Sequence, residues 1–198
     1  MNDVEMAFWA QLVSKGTTNA IASLSQFVGQ DISVESFGLK RIPVAQISQL
    51  MGGPETEAIG IYLTVSGSAD GHIMLMYDPE MAHGFVDMLM GQPQGTTQTL
   101  GEMEESALGE LGNIVGSSFL NALADATGLT LMPSPPSVIK DMAGALLDII
   151  AADILLTQDD AFVAETAFHA PDRAVKGQFF VIPTQDLLRV LLERRPAA

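Results

Sequence analysis

Four polar residues in the second half of the chain recur at helical spacing: Ser106, Glu110, Asn113 and Ser117, separated by +4, +3 and +4. On a helix read over Glu102–Ala126, at about 100° per residue, they fall within roughly 60° of one another. Hydroxyl, carboxylate and carboxamide groups on one stripe form a set that can both donate and accept hydrogen bonds. Gly109, Gly112 and Gly116 lie beside the stripe, and each costs a helix about 1 kcal/mol relative to Ala. Close approach of another backbone, from the protein itself or from a partner, is the simplest gain that offsets this. Spacing alone leaves a second reading open, in which the stripe is a solvated face and the glycines serve helix packing. The arc expected to be buried is Ala107, Leu111, Ile114, Val115, Ser118, Phe119 and Ala122.

The elements that must hold this helix occur twice, at an offset of 99 residues. Trp9–Val28 stops at Gly29 and runs into Asp31-Ile32-Ser33-Val34, while Leu108–Thr127 stops at Gly128 and runs into Leu129-Thr130-Leu131-Met132. A glycine after a periodic apolar segment is the usual left-handed helix end. Two strand-like runs follow in each half: Ile59–Ser66 and Gly71–Tyr77, then Ala161–His169 and Gly177–Ile182. Their alternation predicts half-buried antiparallel strands, joined by Gly67–Asp70 in the first half and by Ala170–Lys176 in the second. Pro79–Met90 and Thr184–Arg194 read as closing helices, with Pro79 and Thr184 suited to their first turns. The expected fold is α+β, a single domain over residues 1–198 made of two pseudo-symmetric repeats (5–90 and 100–195). The linker 91–99 carries the breakers Gly91, Pro93 and Gly95. The halves are expected to pack about a pseudo-two-fold axis with a continuous sheet or a shared core.

Composition narrows the function. Apolar residues make up 47% and charged residues 17%, enough for a packed interior. A net charge of −15, with nine scattered Lys and Arg, argues against a nucleic-acid partner. The acidic start Met1–Glu5 is unlike a secretory signal. The most apolar run, Ala143–Leu156, is shorter than the roughly 20 residues of a membrane span, so no membrane insertion is expected. The absence of cysteine excludes disulfides and thiolate chemistry and fits a reducing, cytoplasmic compartment. His72, His83 and His169 have no ligand-like neighbours, and no metal site of the protein's own is expected. The glycines do not form a dinucleotide fingerprint, no phosphate-binding loop is present, and Ser/His/Asp catalysis has no support. Met74, Met76, Met88 and Met90 read as core filler.

Ser106-x3-Glu110-x2-Asn113, then twenty-two residues and Pro136, resembles the signature of the CheC/CheX/FliY phosphatases. The surrounding Ala107–Gly116, Met51-Gly52-Gly53-Pro54 and Gly144-Ala145-Leu146-Leu147-Asp148 are similar to that family too, and the resemblance runs from about Trp9 to Leu192. It implies a phosphatase acting on the aspartyl phosphate of the chemotaxis response regulator CheY. Asn113 would orient the attacking water, Glu110 would pair with the receiver's lysine, and Ser106 and Pro136 would support them. Mg2+ would come with the phosphorylated receiver, and the protein would need no cofactor of its own.

CheC-like proteins carry the signature in both halves, whereas the offset of 99 places Ala7, Gln11, Ser14 and Phe37 at the first-half positions. No Glu and no Asn stand there, so the first site is expected to be lost. The single centre is shared with CheX, a domain-swapped dimer, but the Leu146-Leu147-Asp148 segment favours CheC. Asp148 matches the segment through which CheC-type proteins bind the receptor deamidase CheD; read structurally, it is an acidic residue on the exposed side of a short helix. The alternative class is a non-catalytic interaction protein: a CheD-binding adaptor, a sink for phospho-CheY, or a flagellar-switch relative. A phosphatase of a receiver outside chemotaxis would look the same in sequence.

Overall fold

The computed structural model describes residues 3–154, 159–170 and 173–194. The end of the apolar run (155–156), the tip of the second hairpin (171–172) and position 195 lie outside them. The first half is α1 (Asp3–Val28), β1 (Ser33–Pro43), a 3-10 helix (Val44–Met51), β2 (Glu57–Gly67), β3 (Gly71–Tyr77) and α2 (Pro79–Leu89). The second is α3 (Glu102–Thr127), β4 (Leu131–Pro133), β5 (Ser137–Met142), α4 (Ala143–Ile154), β6 (Asp160–Ala170), β7 (Arg173–Pro183) and α5 (Gln185–Glu193).

Local chemistry explains the helix ends. Gly29 (φ 66°) and Gly128 (φ 71°) adopt the left-handed conformation that ends α1 and α3 at the same place in the two repeats. Asp78 caps α2 by accepting from Met81 N–H at 2.8 Å, ahead of Pro79, and Thr184 caps α5 through Leu187 N–H at 3.1 Å. At the start of α3, Gly101 has no side chain to offer, but Glu104 reaches back and accepts from its N–H at 2.9 Å. Glu102, Glu104 and Glu105 in the first turn complement the positive end of the helix dipole.

The seven strands form one antiparallel sheet in the order β1-β6-β7-β3-β2-β4, with β5 also on β2. The two halves exchange strands. First-half β1 pairs with second-half β6, while second-half β4 and β5 pair with first-half β2, and β3 meets β7 in the middle. This is the pseudo-two-fold arrangement, with a continuous sheet and a shared core.

One face of the sheet, formed by Ile59, Ile61, Leu63, Ile73 and Leu75, packs on α1 and α3, joined by Trp9, Leu24, Leu111 and Phe119. On the other face Ala58, Met74 and Met76 pack with the 3-10 helix and α4 through Val44, Ile47, Leu146 and Ile150. All seven residues of β3 are therefore buried, which corrects the half-buried expectation for this strand: it is central and covered on both sides. The second hairpin is also tighter than expected. Arg173–Lys176, read as connection, belong to β7, where Ala174 and Val175 pair with His169 and Phe168. Met74, Met76 and Met88 lie in the core and Met90 packs against it.

The open groove beside the signature helix

Helix α3 is buried on Leu108, Leu111, Gly112, Val115, Gly116, Phe119, Leu120, Ala122 and Leu123. The expected arc is rotated from this. Ala107, Ile114 and Ser118 are only half-buried, while two glycines lie in the buried face. The reason is steric. A Cβ at Gly112 would stand 2.4 Å from Ile61 Cγ2 and 3.2 Å from Pro136 Cβ, and one at Gly116 would stand 3.0 Å from Leu63 Cδ2. The glycines admit side chains of β2 and a proline of the neighbouring loop, rather than another backbone. Gly109 differs, since its Cβ would meet nothing closer than Val138 Cγ2 at 4.0 Å.

Turning these glycines inward turns the polar stripe outward. Ser106, Glu110 and Asn113 are all exposed. They line one side of an open groove of about 660 Å³, together with Glu105 and Gly109. Pro133, Ser134, Pro135, Pro136 and Val138 form the other side. Proline has no N–H to give a ladder, so the chain leaves the sheet between β4 and β5 and bows toward α3. Ser134 pins the bow to β2, accepting from Thr64 N–H at 3.0 Å while its own N–H donates to Thr64 O at 2.8 Å. Pro136 then seats against α3 at Gly112, one residue before Asn113. Three residues of one helix thus meet Pro136 of the later bow at one groove, and the carboxylate and carboxamide share its open side.

The first-half positions are placed differently. Ala7 and Gln11 are exposed on α1 and Ser14 is half-buried, while Phe37 lies inside β1, paired with Thr166, and packs against the main core. The other two family-like segments do come together: Gly144 N–H donates to Pro54 O at 2.9 Å and Ala143 N–H to Thr56 O at 2.8 Å. A Cβ on Gly144 would lie 3.1 Å from both Pro54 Cβ and Pro54 O, so glycine is what lets α4 start there. Asp148 is exposed on α4, beside the 40%-exposed Ile149.

Sequence reasoning missed Asp87. It is fully buried on α2, and its carboxylate accepts from the N–H groups of Gly95 (2.7 Å), Thr96 (3.1 Å) and Thr97 (2.8 Å). Burial alone would raise its carboxyl, but the Thr97 hydroxyl and these three amides together hold it below the ordinary carboxylate range. Its periodic place on an amphipathic helix was the available signal, since an acidic residue there falls on the core side. The Pro-Ser-Pro-Pro run 133–136 was the corresponding signal for the groove's second wall. Among the described residues no three His, Asp or Glu gather as metal ligands, and no helix is long and apolar enough to cross a membrane.

Fold and groove define a class of two-repeat proteins with one strand-exchanged sheet and a signature helix beside it. Residues 103–139, which contain that helix and the proline bow, match the CheC-like family. The chain is 28% identical over 190 residues to the CheY-P phosphatase CheC of Bacillus subtilis (strain 168), covering 94% of this chain and 91% of that protein. Its fold is similar to that of FliY from Thermotoga maritima, with TM-score 0.77 at 20% identity over 98% of this chain and 96% of the other. It is also similar to the CheX–CheY–BeF3–Mg2+ complex from Borrelia burgdorferi, with TM-score 0.56 at 17% identity over 87% of this chain and 97% of the other. Together these findings make the chain similar to the CheC-like family, as the signature helix suggested.

Proposed function

We propose that this protein is a phosphatase of phosphorylated CheY. The observation that carries the reading is the shared exposure of Glu110 and Asn113 on one open groove, with Pro136 opposite. Two such groups on a rigid helix can be inserted into the phosphorylated pocket of another protein. The relative from Bacillus subtilis is a CheY-P phosphatase, and the CheX neighbour is seen with CheY, BeF3 and Mg2+; both support this substrate.

The reaction is hydrolysis of an acyl phosphate. Water oxygen attacks phosphorus in line, the bond from phosphorus to the aspartyl oxygen breaks, and the products are an aspartate carboxylate and inorganic phosphate, with the water's proton passing to phosphate or solvent. The transition state asks chiefly for positioning and charge stabilisation. In this reading Asn113 accepts from the water through Oδ1 and so turns a water lone pair toward phosphorus. Glu110 pairs with the receiver's lysine, and the receiver's own Mg2+ balances charge on the phosphoryl group. Ser106 and Pro136 shape the groove.

Asp148 supports a second partner face on α4, where an acidic side chain stands beside half-exposed Ile149, and CheD is the partner it would take. Phosphate release from a panel of phosphorylated receivers, with the parent and with Asn113→Ala, tests the main reading. Turnover of phospho-CheY that depends on Asn113 supports it; tight binding without turnover would leave the non-catalytic adaptor, and equal rates in both proteins would end it. Loss of CheD capture on Asp148→Lys tests the second face.

A further inference from the structure

A threonine inside a helix can satisfy its hydroxyl on the carbonyl one turn back. Thr18 Oγ1 donates in this way to Ser14 O at 2.9 Å, and Thr127 Oγ1 to Leu123 O at 2.7 Å. Thr17 of α1 differs. It is 4% exposed, and its hydroxyl has no hydrogen-bond partner among the described residues. The same is true of Thr166 on β6, which is 3% exposed. A buried hydroxyl that has left water needs another partner in its place. Both threonines line one cavity of about 20 Å³. Its other walls are buried too, among them Ile21 and Leu24 of α1, Leu75 of β3, and Leu111 and Val115 of α3. The second repeat shows what this pair replaces. The offset of 99 aligns Thr17 with Gly116. Leu63 and Thr166 are each seventh in an eleven-residue strand, counting from Glu57 in β2 and from Asp160 in β6. There the helix glycine admits the leucine, since a Cβ on Gly116 would stand 3.0 Å from Leu63 Cδ2. In the first repeat both places are threonine.

We propose that this cavity is a binding site for one buried water molecule, held between the hydroxyls of Thr17 and Thr166. Size limits the ligand. A water needs roughly 10–15 Å³ of such space, and the cavity of about 20 Å³ has room for one. Charge limits it as well. No carboxylate, ammonium or guanidinium lines the wall, and an ion buried without a partner of opposite charge is strongly disfavoured. Tyr77, also on the wall, stays neutral because burial pushes its phenol up. A neutral ligand able both to donate and to accept is what two hydroxyls can hold. Each hydroxyl can also do either, so the bridge forms in whichever sense the hydrogens settle. Two polar partners suffice to fix a water in a cavity, whereas a wholly apolar cavity stays dry. The bridge ties α1 of the first half to β6 of the second, inside the shared core.

Two measurements on the full chain test the site, and neither depends on phosphatase turnover. A high-resolution crystal structure should show a density peak at about 2.5–3.0 Å from both Oγ1 atoms, ordinary hydrogen-bond distance. Thermal denaturation of valine variants, which keep the shape of threonine and remove its hydroxyl, reads the energetics. With a bridging water, Thr17→Val and Thr166→Val should each lower the midpoint by about 2–4 °C, because the remaining hydroxyl loses its partner. The double variant should return to the parent's midpoint or exceed it, since both polar groups leave together. If the two hydroxyls are instead without any partner, each single valine raises the midpoint and the two gains add. That result overturns the site. A cavity without a density peak also overturns it, whether Thr17 Oγ1 then donates to Val13 O or directly to Thr166.

Discussion

The two repeats share a core and differ in what stands beside their long helices. Beside α1 runs β1, eleven residues paired with β6 along its length, with a single irregularity between Val34 and Ser36. Beside α3 the equivalent run is cut into β4, of three residues, and β5, of six, by Ser134, Pro135 and Pro136. The break costs ladder hydrogen bonds at an outer position of the sheet, where a missing N–H is tolerated, and it opens the groove that faces Glu110 and Asn113. The first half keeps its ladder and has Phe37 packed where a groove wall would be. In the proposed function a working site needs two things together, the pair of side chains on the helix and the bow in the neighbouring strand. The first half lacks both.

The largest effect follows from the helix. Asn113→Ala should lower phosphate release from phospho-CheY by about 10² or more, the scale of removing a polar group that acts in the transition state. Ser14→Ala, at the matching first-half position, should leave it unchanged. Glu110→Ala should lower the rate and weaken receiver binding as well, which a binding titration reads separately. The strand predicts the outcome of a graft. Gln11→Glu with Ser14→Asn, made in the Asn113→Ala background, restores the helix pair but not the bow, and should recover none of the lost rate. Recovered turnover would show that the side chains suffice and that the broken strand is incidental.

Between the halves, Asp87 carries the next largest expectation. Its carboxylate holds Gly95, Thr96 and Thr97 of the linker, so Asp87→Ala should cost roughly 2–3 kcal/mol in chemical denaturation, as for hydrogen bonds to a buried charge. Its carboxyl is depressed in the folded protein. The carboxylate's contribution is therefore present above the unfolded value, about 3.9, and is lost as pH falls below that through the folded one. The variant's stability should accordingly fall less steeply than the parent's between about pH 5 and the acid limit.

Much of this architecture was legible because it is written in local chemistry. Gly29 and Gly128 end helices wherever they stand, Pro79 and Thr184 begin them, and the +4, +3, +4 spacing puts Ser106, Glu110, Asn113 and Ser117 on one stripe whatever surrounds it. The long-range pairing was not legible. Nothing in the alternation of β1 says that its neighbour is β6, more than a hundred residues away, or that β5 exists at all beside β2. The 3-10 helix Val44–Met51 was missed for a related reason, since eight residues offer too short a period to separate it from a loop. The buried arc of α3 was misplaced because glycine carries no hydropathy signal. Gly112 and Gly116 are core positions defined by what they let in.

That last point makes the smallest prediction and the finest division within α3. Gly109 and Gly112 are one turn apart and chemically identical, yet one faces the groove and the other faces β2 and the bow. At Gly109 a methyl group meets only Val138 at 4.0 Å, so Gly109→Ala should raise stability by about 0.5–1 kcal/mol through helix propensity alone. At Gly112 the same methyl falls 2.4 Å from Ile61 Cγ2, a branched side chain fixed on a central strand, and presses on Pro136 at 3.2 Å. Overpacking of this kind costs about 1–3 kcal/mol, which outweighs the propensity gain, so Gly112→Ala should lower the denaturation midpoint while Gly109→Ala raises it. It should also lower phosphatase activity beyond what the stability loss explains, because relief comes from moving the Pro136 wall away from Asn113. Equal and favourable effects at both glycines would mean that α3 does not seat on the proline bow, and the groove, with everything argued from it, would lose its second side.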